Sequence, residues 1–110
     1  MKYKISKTKP YSLVTLHGTL DLNTIRILRQ DLMSDSLHDV HILDFKDVKR
    51  VEPEAFHDFA GLQVVLRKKS FSRLFLTNMK LELKKSLLQQ GIIRSEESAF
   101  NLVEVIKKVS

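Results

Sequence analysis

The sequence contains no cysteine and no tryptophan, and only three glycines and two prolines among 110 residues. Without cysteine there is no disulfide framework, no thiolate zinc site and no cysteine nucleophile. So few glycines leave no phosphate-cradling loop, and the scarcity of glycine and proline together excludes collagen-like and linker-like chains. No serine sits in a Gly-x-Ser-x-Gly elbow. No apolar run approaches the roughly 20 residues that span a bilayer. The first ten residues hold four lysines and a proline with no apolar stretch behind them. That is not the pattern of a secretory leader, and it places the chain in the cytoplasm.

What is present suits one globular domain covering residues 1–110. The hydrophobic share is 43% and the charged share 29%, enough apolar surface to build a core without a covalent staple. The net charge is +6, a value that invites nucleic acid as a partner. Its distribution argues otherwise. Residues 1–19 carry four positive charges and no negative ones, residues 20–66 carry five positive and nine negative, and residues 67–110 carry ten positive and four negative. Arg67, Lys68, Lys69 and Arg73 gather near Phe71, with no second aromatic for bases to stack on. These cations suit the C-terminal end of a helix, and the asymmetry suits steering of a protein partner better than DNA.

Periodicity gives the elements. Tyr3 and Ile5 alternate with polar residues in a first strand, and Leu13–Leu16 form a second, closed by His17 and Gly18. Asp21, Asn23 and Thr24 each offer a cap for a first helix carrying Ile25, Leu28 and Leu32 and ending near Ser36. Val40, Ile42, Leu43 and Phe45 form a dense apolar run, the pattern of a central buried strand. Residues 47–50 read as a polar turn. Pro53 fits the first turn of a second helix, in which Ala55, Phe59, Leu62 and Leu66 share one face. Leu74–Leu76 make a fourth strand. Asn78 offers the next cap, Leu83 and Leu87 point inward, and Gly91 ends that helix in a left-handed cap. Ile92 and Ile93 form a brief strand or turn. Ser95 caps a last helix whose inner face is Ala99, Phe100, Val103, Ile106 and Val109. The order β-β-α-β-α-β-α-(β)-α predicts an α/β fold with an opening hairpin, a small, mostly parallel sheet of four to five strands, and about four flanking helices.

This order resembles the STAS domain family of anti-sigma factor antagonists and their relatives. The resemblance covers nearly the whole chain. It rests on the turn Gly18-Thr19-Leu20-Asp21, the strand Ile42-Leu43-Asp44-Phe45, the junction Val51-Glu52-Pro53-Glu54-Ala55-Phe56 and the helix end Leu87-Leu88-Gln89-Gln90-Gly91-Ile92. It implies a bacterial, non-catalytic module without cofactor that works by docking to a protein. The implied partner is an anti-sigma factor or kinase or, in other branches, a transporter or a subunit of a membrane transport ATPase. Members switched by phosphorylation carry an Asp-Ser-Ser-Gly-like junction with the modified hydroxyl at the helix start. Aligned there, this chain has Glu54, and no serine or threonine occurs from His38 to Lys69.

The docking surface implied by the resemblance comprises Asp21, Val51, Glu52, Pro53, Glu54, Phe56 and His57. A helix N-terminus carries about half a positive charge, and a phosphate there adds nearly two negative charges. Glu54 supplies one permanent negative charge. It reads either as a partial imitation of the phosphorylated form or as an ordinary first-turn glutamate. Phe56 reads either as core or as an apolar part of the docking patch. The four histidines, His17, His38, His41 and His57, show no metal-ligand spacing: His38 and His41 straddle a loop and a strand, and His57 is expected exposed on its helix.

Overall fold

The computed structural model describes residues 3–7, 10–35, 38–68 and 73–109. Five strands form one sheet: β1 (Tyr3–Ser6), β2 (Ser12–Leu20), β3 (Val40–Val51), β4 (Arg73–Thr77) and β5 (Ser98–Ala99). Their order across the sheet is β1-β2-β3-β4-β5, the order of the chain. β1 runs antiparallel to β2, and the remaining pairs are parallel. Among the described residues, four α-helices complete the fold: α1 (Leu22–Met33), α2 (Ala55–Lys68), α3 (Leu81–Gln89) and α4 (Leu102–Val109).

Strand alternation divides the core in two. Val14 and Leu16 of β2, Leu43 and Phe45 of β3, and Leu74 and Leu76 of β4 face α1, α2 and α3. Ile42 and Phe75 point to the other side, where Ala99, Val105 and half-buried Leu102 cover them. On the three-helix side, Phe45 and Phe59 stack at a tilt of 35° with ring centroids 6.0 Å apart. The Tyr3 hydroxyl donates to Asp31, so β1 is tied to α1. Burial, reinforced by the Asp31 carboxylate, pushes the Tyr3 phenol well above its ordinary range.

Four sequence expectations are corrected. β2 does not stop at His17 and Gly18 but runs on to Leu20. Gly18 has φ +76°, and it sits in an irregular stretch of ladder instead of a terminus. The expected polar turn at 47–50 is the second half of β3, paired to β2 through His17↔Asp47, Gly18↔Val48 and Thr19↔Arg50. β3 carries an extra residue at each of two bulges there, and Asp44 Oδ1 accepts the Lys46 N–H at the first (2.9 Å). Val48 is buried while Lys46, Asp47, Lys49 and Arg50 face solvent, so composition alone reads as a turn.

Asn78 does not cap α3. It has φ +57°, which asparagine tolerates, and its side-chain amide donates to Asp44 across the sheet (3.0 Å). Lys80 precedes the helix instead. The last helix begins later than expected, because Ser98–Ala99 is drawn into the sheet beside β4. Asn101 Oδ1 accepts the Glu104 N–H (3.0 Å), and the Glu104 carboxylate accepts the Phe100 N–H (2.9 Å). Starting there, α4 turns Leu102 and Val105 inward. Phe100 is 81% exposed, and Val103, Ile106 and Val109 are exposed as well. Of the strand or turn expected at Ile92–Ile93, the structure adopts the turn, with both residues buried.

Other expectations match. The α3 end is a left-handed cap: Gly91 has φ +70°, its N–H donates to Leu88 (3.1 Å), and the Ile92 N–H donates to Leu87 (2.9 Å). α1 is capped by Asp21, one of the three candidates. Ser36, Lys69 and Phe71 lie outside the described residues.

Candidate functional site

The expected docking residues come from three elements whose ends the sheet brings together. Parallel pairing sets Leu20 beside Val51, so β2 and β3 end side by side. The Glu52 N–H then donates to the Leu20 carbonyl (2.8 Å), which holds the two chains together one residue past the ladder. Beyond it the chain turns tightly. The Ala55 N–H donates to Glu52 (2.9 Å) and the Phe56 N–H to Pro53 (3.2 Å). Proline has no N–H to leave unpaired in this turn. Pro53 and Glu54 thus form the turn that opens α2, and both are exposed. Pro53 stands just before the helix, not within its first turn.

Electrostatics at this corner are more balanced than the residue types suggest. Asp21 is half-buried, and its Oδ1 accepts both the Thr24 N–H (2.8 Å) and the Thr24 hydroxyl (2.7 Å). Its carboxylate therefore serves the α1 cap. Replacing Asp21 with alanine is expected to cost about 1 kcal/mol of stability, with asparagine restoring most of it. Urea unfolding of the three proteins checks this. Glu52 pairs with Arg50 (3.1 Å), and Asp58 on α2 pairs with Arg26 on α1 (3.0 Å). Glu54 is left as the exposed carboxylate at the start of α2, where the unpaired helix N–H groups favour negative charge.

Phe56 lies between core and surface. It is half-buried and packs against the large core cluster, and its remaining surface lines a groove. The groove has a volume of about 320 Å³ and is bounded by Pro53, Phe56, His57 and Ala60 of one wall and by Gln90 and Ile92 of the other. The second wall is the glycine-capped end of α3. Ala60, Gln90 and Ile92 lie outside the residues expected from the sequence, and no local signal marks them as lining a groove. His57 is exposed on α2.

The other histidines serve separate purposes. His38 Nδ1 contacts Asp35 (2.9 Å), and His41 Nδ1 contacts Ser12 Oγ (2.6 Å). Among the described residues, no three histidine, aspartate or glutamate side chains gather closely enough to hold a metal ion. Among them, too, no helix is long and apolar enough to cross a membrane.

No family model and no curated protein sequence matches this chain. Solved structures do. SpoIIAA of Bacillus in its phosphorylated form, an anti-sigma factor antagonist, superposes with a TM-score of 0.76 at 15% identity, covering 98% of this chain and 99% of that one. A serine-to-glutamate variant of RsbS from Moorella thermoacetica superposes with a TM-score of 0.78 at 17% identity, covering 99% and 95%. A sulfate transporter family protein from Wolinella succinogenes gives 0.77 at 16% identity, covering 96% and 88%. The chain therefore has the STAS fold, that of the anti-sigma factor antagonists, along its whole described length.

Proposed function

We propose that this chain is a non-catalytic regulatory module that docks a protein partner through the β3–α2 junction, and that its docking is not switched by phosphorylation there. The observation carrying this reading is the place of Glu54: exposed, on the turn that opens α2, in a fold shared with anti-sigma factor antagonists. Its fixed negative charge meets a basic partner surface. The groove beside it accepts an apolar side chain of that partner between Phe56 and Ile92. Such a charge at a docking rim governs encounter and orientation more than total affinity.

The test uses wild type, Glu54→Ser and Glu54→Lys as immobilised baits in lysate of the source cell, followed by titration of the purified captured protein. Glu54→Lys is expected to bind at least tenfold more weakly, with the loss concentrated in the association rate and shrinking at high salt. Equal affinity of all three baits for the same partner overturns the proposal. A second reading, an accessory subunit of a membrane transport system, is favoured by the likeness to the Wolinella protein. Capture of a transport ATPase subunit in place of a kinase-like protein decides for it.

A further inference from the structure

Gln63 lies midway along α2 and is 1% exposed, yet neither its Nε2 nor its Oε1 has a hydrogen-bond partner. A buried primary amide with both ends unmade is rare in folded proteins, because the full desolvation penalty of each end stands uncompensated. Leucine or methionine would fill this helix position without that penalty. Gln63 lines a pocket of about 240 Å³ between the C-terminal half of α2, the start of β4 and the turn at residues 94–97.

The rest of the lining joins apolar Leu66, Leu74 and Phe75 to a set of charges with one positive charge in excess. Arg67 and Glu97 neutralise each other through two hydrogen bonds. That leaves the guanidinium groups of Arg73 and Arg94 against the single carboxylate of Glu96. Arg73 is laid over the Phe75 ring, with Cζ 4.9 Å from the centroid, which fixes its direction. The pocket lining therefore combines a buried, unpaired donor and acceptor with positive charge carried on planar, forked donors.

We propose that this pocket binds a small organic anion that carries a lactam or amide edge. The ligand's N–H donates to Gln63 Oε1, its carbonyl accepts from Gln63 Nε2, and its anionic group lies between Arg73 and Arg94. The inference stands apart from the docking reading, which uses neither Gln63 nor these arginines.

The experiment titrates the full chain, ¹⁵N-labelled, with pyroglutamate and orotate, which carry both groups. Pyrrolidinone and uracil carry the lactam edge alone, and benzoate carries the carboxylate alone. Pyroglutamate or orotate is expected to shift the Gln63 side-chain amide and to bind at least tenfold more tightly than the single-group compounds. Gln63→Leu is expected to abolish binding while raising the unfolding midpoint. Arg94→Ala is expected to weaken the two-group compounds tenfold and leave uracil unchanged. Should Gln63→Leu fail to fold, the exposed Arg94→Ala variant and the probe series still decide. Absence of any Gln63 shift with both anions at millimolar concentration overturns the proposal, as does benzoate binding as well as orotate. Either result would make the pocket a solvent site.

Discussion

Replacing Phe59 with alanine is expected to lower the unfolding free energy by about 3–5 kcal/mol, the range for truncating a buried aromatic. That is a large share of the roughly 5–15 kcal/mol that holds a domain of this kind together. Phe59 is 1% exposed and stands on the inner face of α2 with Ala55, Leu62 and Leu66. Its ring meets Phe45 from the centre of the sheet. Removing it leaves a cavity under the helix that the Glu54 turn opens. In urea unfolding the midpoint falls and the slope stays constant, because the surface exposed on unfolding is nearly unchanged. Val64→Ala, on the exposed side of the same helix, is the control and is expected to stay within about 0.5 kcal/mol. A Phe59→Ala loss below about 1 kcal/mol would mean that α2 is not anchored through this ring.

The second large effect is expected at Arg67. Its guanidinium grips Glu97 through Nε (3.0 Å) and Nη2 (2.5 Å). Glu97 in turn accepts the Arg94 N–H (2.7 Å), so the pair fastens the end of α2 to the turn that leads into β5. The hydrogen bonds to Glu97 hold the guanidinium's pKa above its ordinary value despite partial burial. Most surface ion pairs contribute little, but this one is bidentate, and its side chains are only 26% and 13% exposed. Arg67→Ala is expected to cost about 1.5–3 kcal/mol. A double-mutant cycle with Glu97→Gln separates the pair from the packing of the arginine stem. A coupling below about 0.5 kcal/mol would show that the stem, not the charge, does the fastening.

The elements that the sequence predicted well are those with one dominant apolar face. The Ile42–Phe45 run, the Ala55–Leu66 stripe and the Gly91 stop each leave a single solution, and the structure adopts it. The misses share a cause: two readings of equal local merit, decided by tertiary pairing. Residues 47–50 are polar enough for a turn, but β2 offers them a ladder. In α4, Phe100, Val103 and Ile106 form as good a stripe as Leu102 and Val105. The recruitment of Ser98–Ala99 to the sheet edge sets the phase. Glu54 was visible because one residue type at one position carries the argument. The wall made by Gln90 and Ile92, and the buried amide of Gln63, arise only when distant segments meet, and nothing local marks them.

The agreement between strand order and chain order bears on how the molecule assembles. Each parallel strand that emerges during synthesis finds its partner already made, immediately upstream. None must wait for a later strand to be inserted between it and its neighbour. Such a sheet grows by addition at one edge, with short loop closures at every step. The last unit added, β5 with α4, shields Ile42 and Phe75 from the far side. A chain released before residue 98 would therefore keep its three-helix face and expose a bare apolar sheet behind it, the state most prone to self-association.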